Sequence, residues 1–278
     1  MRFLRVPGAR LGLTVTALVF LTAIFGGFVA PYSPTHQQYD AILAPPGAAH
    51  VLGTDQLGRD TLSRLIYGAR PSLAAGAVSV GIALAFGVPM GLLAGYTGGW
   101  LDEALMRVAD TLWSFPGLVL AIAVEAILGP GLINAMLAIG IVYAPVFARL
   151  VRSQTLSVRE LEYVEAARSV GAGEGRIMRA HIWPNVSTPV VVQSSLMVGQ
   201  AILFEAALSF LGLGVQPPTP AWGSMLRTAY QYLQVDPWLS VFPGLAIFVT
   251  VLGFNFLGDA LRQTLDPRLR RLGAGAIR

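Results

Sequence analysis

Six apolar runs, each close to the length that crosses a lipid bilayer, fill most of this chain and leave it little choice of fold. They cover residues 11–30, 72–94, 112–128, 132–150, 188–211 and 239–257, and a helix needs about 20 mainly apolar residues to traverse the hydrocarbon. In lipid, backbone amides must be satisfied within a helix or a closed barrel, and a barrel would show short alternating strands where these runs are continuous. The expected fold class is all-α: a polytopic membrane protein with six transmembrane helices. The third run is the shortest, and its start is placed nearer Val108. Of the 278 residues, 54% are hydrophobic and 12% charged, against about one quarter charged in a soluble domain. The leftover segments are too short for a separate aqueous core, so residues 1–278 are expected to form a single domain. Arg2, Arg5 and Arg10 ahead of the first run, with small residues near Val29-Ala30, resemble a secretory signal. The run exceeds a usual signal core, and an uncleaved first helix is the reading adopted.

The arginines set the orientation. The chain has no lysine and 19 basic residues. With the N-terminus in the cytoplasm, Arg59, Arg64, Arg70 and Arg227 lie outside and the other fifteen of the 19 lie inside, as the positive-inside rule requires. Both termini are then expected to be cytoplasmic, residues 31–71 an external connector and residues 151–187 a cytoplasmic loop. The isoelectric point of 9.8 follows from this topology, since basic residues spread over separate segments build no nucleic-acid surface. With no cysteine, disulfides, thiolate metal sites and thiol nucleophiles are excluded. His36, His50 and His181 fall on opposite sides of the membrane, so no metal site and no cofactor are expected.

Within the connector, Asp55 and Arg59 stand four apart, and Asp60 precedes Leu62, Leu65 and Ile66 at helical spacing, which predicts a short amphipathic helix entering the second run. Glu103 and Arg107 make a favourable i,i+4 pair in the short loop 95–109, and Gly129-Pro130-Gly131 makes a tight turn.

The segment from Arg149 to Pro184 is the charged exception. Residues 154–170 favour a helix with Leu161, Val164 and Ala167 on one face, and Gly171 suits its left-handed stop. A second short helix is expected over 174–182, ended by Pro184, which biases Trp183 toward an extended conformation. A patterned connection of more than thirty residues exceeds what joining two helices requires. It is expected to be a docking surface, in which Ala166 and Ala167 let the helix enter a groove and Glu165 meets polar or basic groups there.

Carboxylates inside a membrane are costly and mark candidate sites. Glu205 lies about 9 Å from the outer end of the fifth run at helical rise, with Ser194 nearly on the same face. Gln193 and Gln200 form a second polar stripe. All four are candidates for lining a pore, and for Glu205 a structural pairing stands equally open. Glu125 is expected at the interface.

These residues carry a resemblance. Glu165-Ala166-Ala167, Gly171 and Pro184 fall in register with the cytoplasmic motif of ABC importer permeases, EAA, three residues, G, nine residues, I-x-L-P, with His181 and Trp183 in place of the aliphatics. Leu52 to Asp60, Met106 to Asp110, Phe115-Pro116, Glu205 to Gly214 and Leu265-Asp266-Pro267-Arg268 extend it over nearly the whole chain and resemble the dipeptide, oligopeptide and nickel importer subfamily, in its shorter C-type subunit. The resemblance implies a type I importer fold in a bacterial or archaeal inner membrane. It implies as partners a sister permease, two cytoplasmic ATPase subunits and an external substrate-binding protein. The helix bearing Glu165 would be a coupling helix, through which ATPase closure switches access to the pore. No enzyme activity is expected, because a phosphate-binding Walker A loop needs a lysine. Dipeptides or oligopeptides are the expected cargo; nickel complexes, glutathione or other small solutes are the alternatives. The rival class is a proton-coupled secondary transporter using Glu125 or Glu205.

Overall fold

The computed structural model describes residues 3, 6 and 8–265. Arg2, Arg5, Arg268, Arg270, Arg271, Arg278 and the end of the Leu265 to Arg268 motif lie outside the described residues. Apart from one isolated bridge between Thr54 and Asp60, the regular structure among the described residues is helical. Five helical stretches are long and apolar enough to cross a membrane. They are α1 (Ala9–Val29), α2 (Thr61–Thr97), α5 (Leu132–Arg159), the Glu174–Leu211 stretch and α10 (Trp238–Leu265).

The sixth expected span is broken. α3 (Gly99–Trp113) and α4 (Gly117–Leu128) meet at an angle of 93°. The 12 residues of α4 reach only about 18 Å, short of a hydrocarbon core of roughly 30 Å. Pro116, at φ −55° and ψ 123°, turns the chain, and a proline disfavours the helical conformation of the residue before it, here Phe115. The expected single helix starting near Val108 is thereby corrected, and the expected loop 95–109 is largely helix.

The centre of the bundle is the pairing of α2 with α5. Pro71, Ala75, Ser79, Ala83, Gly87, Gly91 and Gly95 recur every four residues of α2 and are all buried. A Cβ added at Gly87, Gly91 or Gly95 would strike the carbonyl of Ala144, Ala148 or Arg152 in turn. Contacts that advance in step along both chains mean that the helices run parallel, backbone against backbone, the close approach small residues permit in membranes. α8 (Trp183–Leu211) packs beside them, Gly76 of α2 meeting Val198 and Ile202, and Gly199 meeting Phe254 of α10. α1 lies at the edge, Gly12 against the backbone of Leu257. Its other face leaves Leu18, Ile24 and Phe28 exposed, as a lipid-facing helix does.

Candidate transport path and coupling surface

Three regions hold the polar chemistry. The first is the connector before α2. Asp55 Oδ1 accepts the backbone N–H of Leu57 and Arg59 at 2.9 and 3.0 Å. Its Oδ2 accepts from Arg59 Nε at 2.7 Å and lies 3.3 Å from Arg64 Nε. Asp60 caps α2, its Oδ2 accepting from the N–H and hydroxyl of Ser63 at 2.7 Å each, while Oδ1 pairs with His50 Nδ1 at 2.9 Å. Tyr32 packs its ring on His50, centroids 4.9 Å apart. Gly58, at φ +68°, sits so close that a Cβ would overlap the Gln38 carbonyl. The expected Asp55–Arg59 pair is present, and Arg64 joins it.

The second region is the α5–α8 loop. α6 (Glu162–Ser169) ends in a glycine cap: Gly171, at φ +80°, donates to Arg168 O at 3.0 Å and Ala172 donates to Ala167 O at 3.1 Å. Two such reversed bonds satisfy the last helical carbonyls. Val164 is the one fully buried residue of α6, and it joins Ile177, Ile182, Val151 and Tyr96 in one cluster. Glu165, Ala166, Gly171 and Pro184 are exposed and Ala167 half-buried. Leu161, Tyr163 and Val170 are exposed as well, Val170 by 84%. Arg159 Nη1 donates to Gly95 O at 2.9 Å, which fastens the end of α5 to the last turn of α2. Arg152 grips Asp102 of α3 through two bonds of 2.5 and 2.6 Å.

Pro184 does not end the second helix as expected. α7 (Glu174–Ile177) runs through a π turn at Met178–Ile182 into α8, and Trp183 is helical at φ −53°, ψ −44°. The Trp183 N–H reaches back five residues to Met178 O. Widening the turn just before a proline makes room where its ring would clash and its missing N–H would leave a gap. The departure at His181 also has a local reason. Its ring stands 6.3 Å from that of Tyr163, whose hydroxyl accepts from Asn185 Nδ2 at 3.0 Å, so α6 is stitched to the start of α8.

The third region is a cavity of about 570 Å³ lined by Trp113 and Phe115 at the α3–α4 bend, Tyr143 of α5, Gln193 and Gln200 of α8, and Asn255 of α10. Leu196, Met197 and Phe204 complete the same stripe of α8, the spacing of one helical face. Tyr143 and Phe204 meet edge to face at 5.8 Å. Ser194 is not in this wall; its hydroxyl donates to Val190 O at 2.7 Å. Glu205 is not there either. It is fully buried and its Oε1 accepts from Ser209 Oγ at 2.5 Å. Glu125, expected at the interface, has its side chain fully buried in α4. Sequence reasoning missed Tyr143 and Asn255 because neither stands in a polar stripe. Among the described residues no cluster of three or more metal-ligating side chains exists.

The chain is similar to known proteins over nearly all its length. Residues 87–271 match the family described as binding-protein-dependent transport system inner membrane component, and residues 1–46 match the N-terminal transmembrane domain of oligopeptide transport permease C. A glutathione transport system permease protein of Pectobacterium atrosepticum is 46% identical, covering 97% of this chain and 90% of that protein. A dipeptide transport system permease protein of Alkalihalophilus pseudofirmus is 47% identical, covering 94% and 86%. A di/tripeptide transport system permease protein of Pseudomonas aeruginosa is 47% identical, covering 95% and 89%. Among solved structures, an inward-facing MetNI methionine ABC transporter shares the fold, with a TM-score of 0.59 at 20% identity over 73% of this chain and 96% of that one.

Proposed function

The chain belongs to the family of binding-protein-dependent transport system inner membrane components and is a membrane permease of an ABC importer, and from that premise we propose how it is assembled and what it carries. It pairs with a sister permease of the same fold in a bacterial or archaeal inner membrane. It receives an external substrate-binding protein on the connector side, the assembly carries two cytoplasmic ATPase subunits, and α6 is this chain's docking element for them, with both of its own termini on that cytoplasmic side. Its cargo is a dipeptide or oligopeptide.

The observation that carries this is the α5–α8 loop. A helix with Glu165 and Ala166 exposed, anchored by buried Val164 and by Tyr163, and closed by Gly171, sits between the two helices that supply Tyr143, Gln193 and Gln200 to the cavity. ATPase closure moves α6, and α5 and α8 move with it because they are its two continuations. The cavity then opens toward the binding protein. Gln193, Gln200 and Asn255 each offer a neutral amide that both donates and accepts, which suits a peptide backbone without selecting its charge. Glutathione is the second cargo, favoured by the 46% identity to a permease named for it.

Reconstitution with the partner subunits tests both levels. Uptake of a labelled dipeptide into vesicles requires ATP, and Glu165→Lys or Gly171→Pro leaves insertion intact while uncoupling uptake from hydrolysis. Uptake that proceeds without ATP and collapses with the proton gradient would identify a secondary transporter instead. Competition by unlabelled glutathione, dipeptide and a nickel complex in the same vesicles ranks the cargo.

A further inference from the structure

Two carboxyl groups take no part in the cavity or in the coupling loop. Glu125 and Glu205 are both 0% exposed. Neither oxygen of Glu125 has a hydrogen-bond partner in the chain, nor has Oε2 of Glu205. Ser209 Oγ spends its proton on Glu205 Oε1 and accepts the Val215 N–H at 2.9 Å, so it has no second donor to offer. The backbone brings the two acids to one end of the bundle. Gly131 N–H donates to Leu213 O at 2.8 Å, tying the α4–α5 turn to the residues that follow α8, and Gly129 N–H bonds back to Glu125 O at 2.7 Å. Glu125 thus lies about one turn inside that clasp on α4, and Glu205 about two turns inside it on α8. Their neighbours pack in one cluster, Ala121 and Val124 of α4 with Phe204 and Leu208 of α8.

Neither acid forms an ion pair among the described residues. α5 brings Tyr143, whose ring is taken by Phe204. α9 (Trp222–Gln231) brings Arg227, whose guanidinium lies against Gly212. α2 brings Arg64, engaged by Asp55 and Pro34 O, and Arg70, engaged by the carbonyls of Ala23 and Ile24. The charged residues of α10, Asp259 and Arg262, sit near its far end. A buried carboxylate without a partner is costly, and a second one beside it repels the first.

We propose that Glu125 and Glu205 form a proton-binding pair. At least one is a neutral acid while α4 and α8 are clasped as here, and its O–H is the donor that the site otherwise lacks. Ionising both forces the two helix ends apart, so the pair acts as a latch on this end of the bundle. The proton stays with the clasped state and does not travel with cargo.

The test uses the whole transporter in lipid, with carboxyl-13C glutamate incorporated only in this permease. Of its seven glutamates, Glu103, Glu160, Glu162, Glu165 and Glu174 are exposed, and Glu125 and Glu205 alone are buried. The infrared spectrum at neutral pH is expected to show an isotope-shifted band of a protonated carboxylic acid. Glu125→Gln or Glu205→Gln should remove or displace it, and alkaline titration should abolish it. No such band in the wild type overturns the proposal, as does a band indifferent to both substitutions. Should either variant fail to assemble, the labelled wild-type spectrum and its titration decide the matter alone.

Discussion

His50, Asp55, Arg59, Asp60 and Arg64 in the connector are each more than nine-tenths buried, and each is held by another side chain or a backbone carbonyl. In the α5–α8 loop, at the other end of the parallel α2–α5 pair, Glu162, Glu165, Arg168, Glu174, Arg176 and Arg179 stand exposed, with Leu161, Tyr163 and Val170 beside them. Buried charges left without partners are strongly destabilising, so the connector must be complete within this chain. Exposed charges interleaved with exposed apolar groups make no such demand. The loop is internally capped yet presents a face that only another surface would cover, as a site of docking requires.

That contrast can be broken by substitutions of decreasing consequence for stability. The largest effect is expected from Asp55→Ala, which strands Arg59 and Arg64 and removes the acceptor of two backbone amides. A loss of about 3–5 kcal/mol should appear as failed accumulation or a large fall in Tm of the purified protein, and a change below about 1 kcal/mol would put this pairing in the class of ordinary surface bridges. Next come two glycines with the same left-handed backbone. Gly58→Ala combines about 1–2 kcal/mol of conformational strain with a clash against Gln38, whereas a Cβ at Gly171 meets nothing within 4 Å, so Gly171→Ala carries the strain alone. Equal shifts in Tm would show that the connector yields as readily as the loop. Val164→Ala should cost roughly 1–2 kcal/mol, felt locally as faster amide exchange across α6 with little change in the α2–α5 pair. Smallest of all, Glu165→Lys should move Tm by less than about 0.5 kcal/mol equivalent while uncoupling transport. A large melting shift there would mean that Glu165 serves the fold.

Much of this was legible in the sequence because it is local. Apolar length located five spans, the Asp55–Arg59 spacing located a real pair, and Gly171 located a helix stop. What was not legible depends on direction in space. Composition cannot say that α3 and α4 point 93° apart, although Phe115-Pro116 marks the break. Proline rules predict a stop at Pro184, but a widened turn one step earlier absorbs it. Helical angle alone grouped Ser194 with Glu205 and set Gln193 and Gln200 apart, without telling which face is open. The turn four residues after Glu125 places it at the interface but does not tell that its side chain is fully buried. The four-residue recurrence from Pro71 to Gly95 was present throughout as a signal for close helix contact.

That recurrence has a mechanical consequence. Where two helices meet through side chains, a displacement can be absorbed by rotamer changes before it reaches the far end. Gly87, Gly91 and Gly95 leave almost no such slack against α5, so the pair behaves as one strut with low compliance. α2 spans 37 residues, about 55 Å, beginning at the buried ion cluster of the connector and ending beside the Arg159 anchor of the loop. A push delivered at one end is therefore conducted to the other as a rigid-body movement, which is what the docking role proposed for α6 requires.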